Sequence, residues 1–220
     1  MNNPLVQLNC VSYRNIIHDA TLDIHPGDRL GIIGPSGSGK TTLMRLMMGA
    51  LTPTTGTVCS RGRFSYIPQD IDASLNPHLS VRDVIIEPAR INNIEPPSVD
   101  NLLRTLDLDP ALADRSPREL SGGQRQRVAI ARTLITNPDV IYADEALSAL
   151  DAHTKHLALD TFTNTTLVLV THDLSAINTL CNRWIVMDQG HIAQQSTGPL
   201  TDDAAAAELI HAARTLGEFP

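Results

Sequence analysis

Gly34-Pro35-Ser36-Gly37-Ser38-Gly39-Lys40-Thr41 satisfies G-x-x-x-x-G-K-[ST] at every constrained position, and its flanks decide the fold. Before it, Arg29-Leu30-Gly31-Ile32-Ile33 is a short apolar run of strand type; after it, Thr42 to Met48 is a run of helix formers closed by Gly49. Strand, glycine-rich loop and helix in that order bring successive backbone N–H groups and a helix N-terminus onto one anion. Lys40 is then expected over the β- and γ-phosphates of a nucleotide, and the Thr41 hydroxyl on Mg²⁺. A turn that binds nothing has no need of three glycines, a lysine and a threonine in register between a strand and a helix.

The composition narrows what such a site can serve. A chain of 220 residues accommodates one well-buried α/β domain with a subdomain, and hence one nucleotide site. The formal net charge of -7 argues against a binder of phosphate backbones, so no nucleic-acid partner is expected. Cys10, Cys59 and Cys181 are far apart and contain no C-x-x-C pair, which suits a reducing compartment rather than a disulfide framework or a zinc site. Met1-Asn2-Asn3-Pro4 has no basic segment leading into an apolar core, and no apolar run approaches the length of a membrane span. A cytoplasmic chain is expected, with any membrane role exercised through partners.

Outward from the phosphate loop, Leu5 to Val11 and Ala20 to Ile24 alternate apolar and polar residues and read as strands of a small antiparallel layer. Tyr13 between them is placed to stack on an adenine or to pack on its own sheet, with Asn15 and His18 as alternatives for the stacking place. Pro53 to Gly56 reads as a turn and Phe64 to Ile67 as a strand running into Gln69, a position from which a side chain can reach a metal or a water. From Ser80 to Asn137 the pattern is helical, with helices expected over Val81 to Ala89, Val99 to Leu106 and after Ser121, and Pro88, Pro96, Pro97, Pro110 and Pro117 punctuate it into a compact insert of short pieces. Within it, Ser121-Gly122-Gly123-Gln124 opens a helix whose stripe is Val128, Ile130, Ala131 and Leu134; Ser121 is a natural N-cap. That makes a second helix terminus ready for an anion.

Val140 to Ala143 is an apolar strand ending in Asp144 and Glu145, and strand alternation is expected to turn the two carboxylates in different directions. Asp144 is assigned to the metal side and Glu145 to the general base. A helix is expected from about Ala152 to Phe162, followed by a buried strand over Thr166 to Thr171 with His172 at its carboxyl edge, where open α/β sheets place ligands. Helix Leu174 to Leu180, strand Trp184 to Met187 and a short strand at Ile192 to Gln194 complete the sheet, and Asp202 to Leu216 reads as an amphipathic surface helix. His153 and His156, three apart on a helix, have no third ligand nearby and read as a solvated face.

The set Gly34 to Thr41, Gln69, Leu120 to Gln124, Asp144-Glu145, Asp151 and His172 resembles the ATP-binding cassette family in order and approximate spacing, over about residues 5 to 195. Leu-Ser-Gly-Gly-Gln is specific to that family. The resemblance implies an α/β P-loop NTPase: a RecA-like parallel sheet core with the antiparallel β layer (1–69 and 138–200), a helical subdomain carrying the signature (70–137) and a C-terminal tail (201–220). It implies a head-to-tail dimer, homodimer or heterodimer with a sister ATPase, in which each ATP with Mg²⁺ lies between Gly34 to Thr42 of one chain and Ser121 to Gln124 of the other. Asp151 joins that nucleotide-binding set, Gln69 senses γ-phosphate and metal, and Glu145, His172 and Lys40 act on the transferring phosphoryl group.

A finer resemblance follows Gln69. Gln69-Asp70, Ala73-Ser74-Leu75-Asn76-Pro77 and Glu87-Pro88 are similar to the peptide/nickel importer branch, and Asp144 to Ser148 and Val186 to Gly190 to its nickel-type members. That branch pairs two ATPase subunits with two transmembrane permease subunits, which dock near Gln69 to Pro88, and with an extracytoplasmic solute-binding protein; the ATPase sits on the inner face of the membrane. Ala146-Leu147 in place of Pro-Thr and the short stretch from Thr57 to Gln69 depart from the branch. The other reading of the chain is a non-transport ATPase of the same fold in a soluble complex; a fused second cassette, a coiled-coil insert or a basic face would favour it.

Overall fold

The computed structural model describes residues 3–146, 157, 161–162, 165–198 and 200. Asp151, Ser148, His153, His156, most of the expected helix over 152–162 and the tail from Asp202 lie outside the described residues. Strand β3 (Arg29–Ile33) is the middle of the fold. It pairs in parallel with β7 (Thr166–Val170) on one side and β8 (Arg183–Asp188) on the other. Beyond β7 come β6 (Val140–Asp144) and β5 (Phe64–Ile67), also parallel, and β9 (His191–Thr197) closes the far edge antiparallel to β8. Every residue of β6 and β7 is buried, as expected of parallel strands covered on both faces.

Strand alternation divides the core in two. Ile33, Ile141, Ala143, Leu167, Leu169 and Val186 face one cluster, which takes in the helical segment after β5. Leu30, Ile32, Val140, Tyr142, Val168, Val170 and Met187 face the other, which takes in helix α1 (Lys40–Met47) and the antiparallel layer. On the first face lie α2 (Ile71–Ser74), α3 (Val81–Ile91), α4 (Val99–Thr105), two 3₁₀ turns at Pro110–Asp114 and Pro117–Glu119, α5 (Gly122–Leu134) and α6 (Leu174–Leu180). Helix α6 packs so closely on β3 that a Cβ at Gly31 would come within 2.4 Å of Ile177 Cδ1.

The antiparallel layer has three strands where the alternation announced two. Strand β1 (Val6–Tyr13) lies between β2 (Ile17–Ile24) and β4 (Thr55–Ser60). The expected turn at Pro53 to Gly56 therefore runs directly into β4, a largely exposed strand with no buried face to give it an apolar alternation. Gly56 takes φ +81° there because Cys10, itself left-handed at φ +48°, bulges β1 toward it; a Cβ at Gly56 would lie 2.2 Å from the Cys10 carbonyl oxygen. Pro88 lies inside its helix as expected, and the helix runs to Ile91, two residues past the expected end at Ala89. The proline stands in the last turn of α3, where the lost N–H leaves one carbonyl without its helical partner, and its own carbonyl accepts from Asn92 N at 3.1 Å and Asn92 Nδ2 at 2.8 Å as the helix closes.

Candidate functional site

Four neighbouring parallel strands end on one edge, in the order β5, β6, β7, β3. Their register places the predicted residues together. Gln69 and Glu145 follow the paired Ile67 and Ala143 by the same two-residue step, and Gly34 and His172 follow the paired Ile32 and Val170 likewise. Residues separated by up to 138 positions in sequence thus line one crevice outside the carboxyl ends of the strands.

The phosphate loop is shaped by its glycines. Gly34 (φ +144°), Gly37 (φ +79°) and Gly39 (φ +100°) all take conformations that disfavour a side chain. A Cβ at Gly34 would lie 2.1 Å from the Met187 carbonyl oxygen, so the loop can pass β8 only with glycine there. Gly39 caps α1 without any side-chain hydrogen bond, which leaves the first-turn N–H groups of that helix to an external anion. Ser36 and Gly37 stand exposed at the apex, while Pro35, Lys40, Thr41 and Thr42 are half-buried. Lys40 Nζ donates to the Gly34 and Pro35 carbonyls at 2.8 and 2.9 Å, so its ammonium is folded over the mouth of its own loop.

Thr41 and Asp144 meet directly: Thr41 Oγ1 donates to Asp144 Oδ1 at 3.2 Å. Burial pushes the Asp144 carboxyl above the usual aspartate range, while the Thr41 hydroxyl, Arg45 and Lys40 pull the other way. Asp144 in turn adds to the burial that raises the Tyr66 phenol. A desolvated carboxylate beside a hydroxyl is a hard oxygen pair of the kind that Mg²⁺ takes, so these residues fit that ion. Arg45, one turn after Thr41, and Tyr66 on β5 were not singled out from the sequence, where they read as ordinary helix and strand positions.

Glu145 departs from the expected geometry. The two acids are separated by the end of the strand rather than by alternation within it: β6 stops at Asp144, and Glu145 turns left-handed at φ +56° while its N–H donates to the Val170 carbonyl at 2.8 Å. That turn brings its carboxylate to His172, with His172 Nδ1 2.7 Å from Glu145 Oε2. The Glu145 side chain is mostly shielded, at 19% exposure, against 51% for His172. Gln69 is exposed beyond β5.

The remaining predicted groups lie on helix α5 and in the antiparallel layer. Ser121 caps α5 as anticipated, its Oγ accepting from Gln124 N at 3.3 Å, and its own N–H donates to Gln124 Oε1 at 2.9 Å. Helix α5 packs on the opposite face of the sheet from α1, so the buried residues of the two helices belong to different clusters of the core. Tyr13 packs partly against the core of the antiparallel layer, and the Arg14 guanidinium carbon lies 5.2 Å from its ring centroid.

The comparisons agree with this geometry. The ABC transporter family profile matches residues 17–148. A nickel import ATP-binding protein, NikE, of Brucella suis biovar 1 (strain 1330) is 35% identical over 209 residues, covering 83% of this chain and 79% of its own. YkfD of Bacillus subtilis (strain 168), described as a putative oligopeptide transport ATP-binding protein, is 36% identical over 206 residues, covering 81% of this chain and 63% of its own. A solved dimer of the ATP-binding cassette MJ0796, in a post-hydrolysis state with ADP and Pi, superposes with a TM-score of 0.73 at 27% identity, covering 87% of this chain and 98% of that one. The chain is thus an ATP-hydrolysing cassette and belongs to the ABC transporter family.

Proposed function

We propose that this chain is the ATPase subunit of an importer for a small solute of the peptide, nickel or metal-chelate class, working through separate membrane subunits. The observation that carries the hydrolytic part is the gathering of Gly34–Thr41, Asp144, Glu145 and His172 on one strand edge. The import part is supported by relatives named for nickel import and oligopeptide transport. Among the described residues no helix is long and apolar enough to cross a membrane, in keeping with permease subunits on separate chains. Two such permeases, an extracytoplasmic solute-binding protein and a place on the inner membrane face complete the reading.

In this account the N-terminus of α1 and the loop amides hold the phosphates, and Lys40 swings from the Gly34 and Pro35 carbonyls onto the β- and γ-oxygens. Thr41, Asp144 and Gln69 hold Mg²⁺, which when bound supplies charge neutralisation on the phosphates. Glu145 accepts the proton of the attacking water; the His172 imidazole positions that carboxylate and faces the γ-phosphoryl group. Ser121, Gly122 and Gly123 open a helix that packs on the other face of the sheet from α1, and in this account they close on the nucleotide of a second copy or sister subunit, with Asp151 a further member of the nucleotide-binding set. The core with its antiparallel layer and the segment 70–137 then act as two lobes of one domain.

The test is affinity capture of the tagged chain from its native membranes, with the companions identified by mass spectrometry. Two multi-spanning permease subunits are expected. Recovery of soluble companions alone would overturn the import reading and leave the ATPase assignment in place.

A further inference from the structure

We infer that Gly190, in the turn between β8 and β9, is a positioning residue for the phosphate loop, tying that loop to the antiparallel layer. Its N–H donates to the Ser38 carbonyl at 3.1 Å, and its carbonyl accepts from His18 N at 3.0 Å, so a single residue bonds the phosphate loop on one side and β2 on the other. Ser38 is buried, at 4% exposure, so the first of these bonds is shielded from water.

The fit leaves no slack. Gly190 has φ +82°, and a Cβ there would lie 2.2 Å from the Ile16 carbonyl oxygen and 2.8 Å from His18 Cδ2. From the loop side, a Cβ at Gly39 would lie 2.8 Å from Ile17 Cδ1 and 3.1 Å from the Ile16 carbonyl oxygen, and one at Gly34 would strike the Met187 carbonyl. The His18 and His191 rings stack across the turn with centroids 4.9 Å apart. The loop is therefore gripped between the end of β8 and the start of β2, and its anion-binding shape is set before nucleotide arrives. A displacement at Gly190 reaches the phosphates through Ser38 and the antiparallel layer through His18.

The inference rests on Gly34–Thr41 being the phosphate site for ATP. Gly190→Ala should raise the KM for ATP about tenfold while kcat changes less than about threefold, the pattern of lost binding rather than lost chemistry. Gly198→Ala is the control: Gly198 is equally left-handed at φ +91°, but a Cβ there meets nothing within 4 Å. It should leave KM unchanged. A folded Gly190→Ala protein with the unaltered chain's KM would overturn the inference.

Hydrogen exchange on the unaltered chain decides the matter even if Gly190→Ala does not fold. Tripolyphosphate, which has no base to touch the antiparallel layer, should slow exchange at Gly190 and His18 as well as in the loop. Slowing confined to residues 34–41 would overturn the inference and leave the phosphate site standing. Absence of binding by both ATP and tripolyphosphate would overturn the phosphate site itself, and the inference with it.

Discussion

Glu145 owes its position to a left-handed backbone that non-glycine residues rarely adopt, anchored by its N–H on Val170 and by its carboxylate on His172. Glu145→Gln keeps the shape and loses the base, so it should retain ATP binding and lose turnover by at least about a hundredfold; radiolabelled ATP binding beside steady-state phosphate release measures both. Lys40→Ala should weaken nucleotide affinity itself, and unchanged affinity by calorimetry would remove Lys40 from its assigned place. Asp144 allows a prediction with a sign. Burial raises its folded pKa, so keeping it ionised costs stability above its ordinary value, and the cost fades as pH falls through the raised one. With Mg²⁺ chelated, Asp144→Asn should raise the Tm at pH 7, and the difference should shrink as pH falls and be gone below about pH 3, where the folded and unfolded carboxyls are both protonated.

The cysteines give a residue-level check on burial. The Cys181 thiol, shielded against α6 and β3, is pushed up to about 12, whereas Cys10 and Cys59 are exposed. At pH 8 two thiols should react promptly with Ellman's reagent and the third at least about tenfold more slowly. At this scale the sequence was informative wherever chemistry needs a fixed residue type. Lys40, Thr41, Asp144, Glu145 and His172 could be singled out from the sequence because phosphate and metal chemistry admit few substitutes, and the fold gathers them at one strand edge. Arg45, Tyr66 and Gly190 went unread as parts of the site, since their places depend on contacts between distant strands and helices that no local pattern records.

Helix α5 begins in a reciprocal cap that Ser121 announced and Gln124 completes. Ser121→Ala should cost about 1 kcal/mol in a urea melt, as loss of an N-cap typically does, and should lower ATPase activity at protein concentrations where two chains pair. Elements with strong periodicity or wholly apolar runs, such as β3, β6, β7 and α5, were legible at once. Strand β4 was not, because an exposed edge strand has no alternation to read. Glu145 followed the same logic in reverse: alternation suggested the right divergence of the two acids, but the strand's end and a left-handed turn produce it.

For the molecule as a whole, alternation on one sheet sends the phosphate-loop helix and the signature helix to opposite faces. On the proposed reading, such a chain carries both halves of a nucleotide site without joining them, and two chains set head to tail would complete two sites. Sequence supplied the two anion-ready termini and their order; their separation across the sheet is a property of the packed fold alone. The sharpest test is sedimentation of Glu145→Gln with ATP and Mg²⁺, where hydrolysis cannot dissolve the closed state. The account predicts a particle of twice the chain mass holding two ATP, reverting to single chains when Ser121 and Gly122 are replaced by bulky residues or when ADP replaces ATP. Tight ATP binding by a chain that stays single at all concentrations would contradict it.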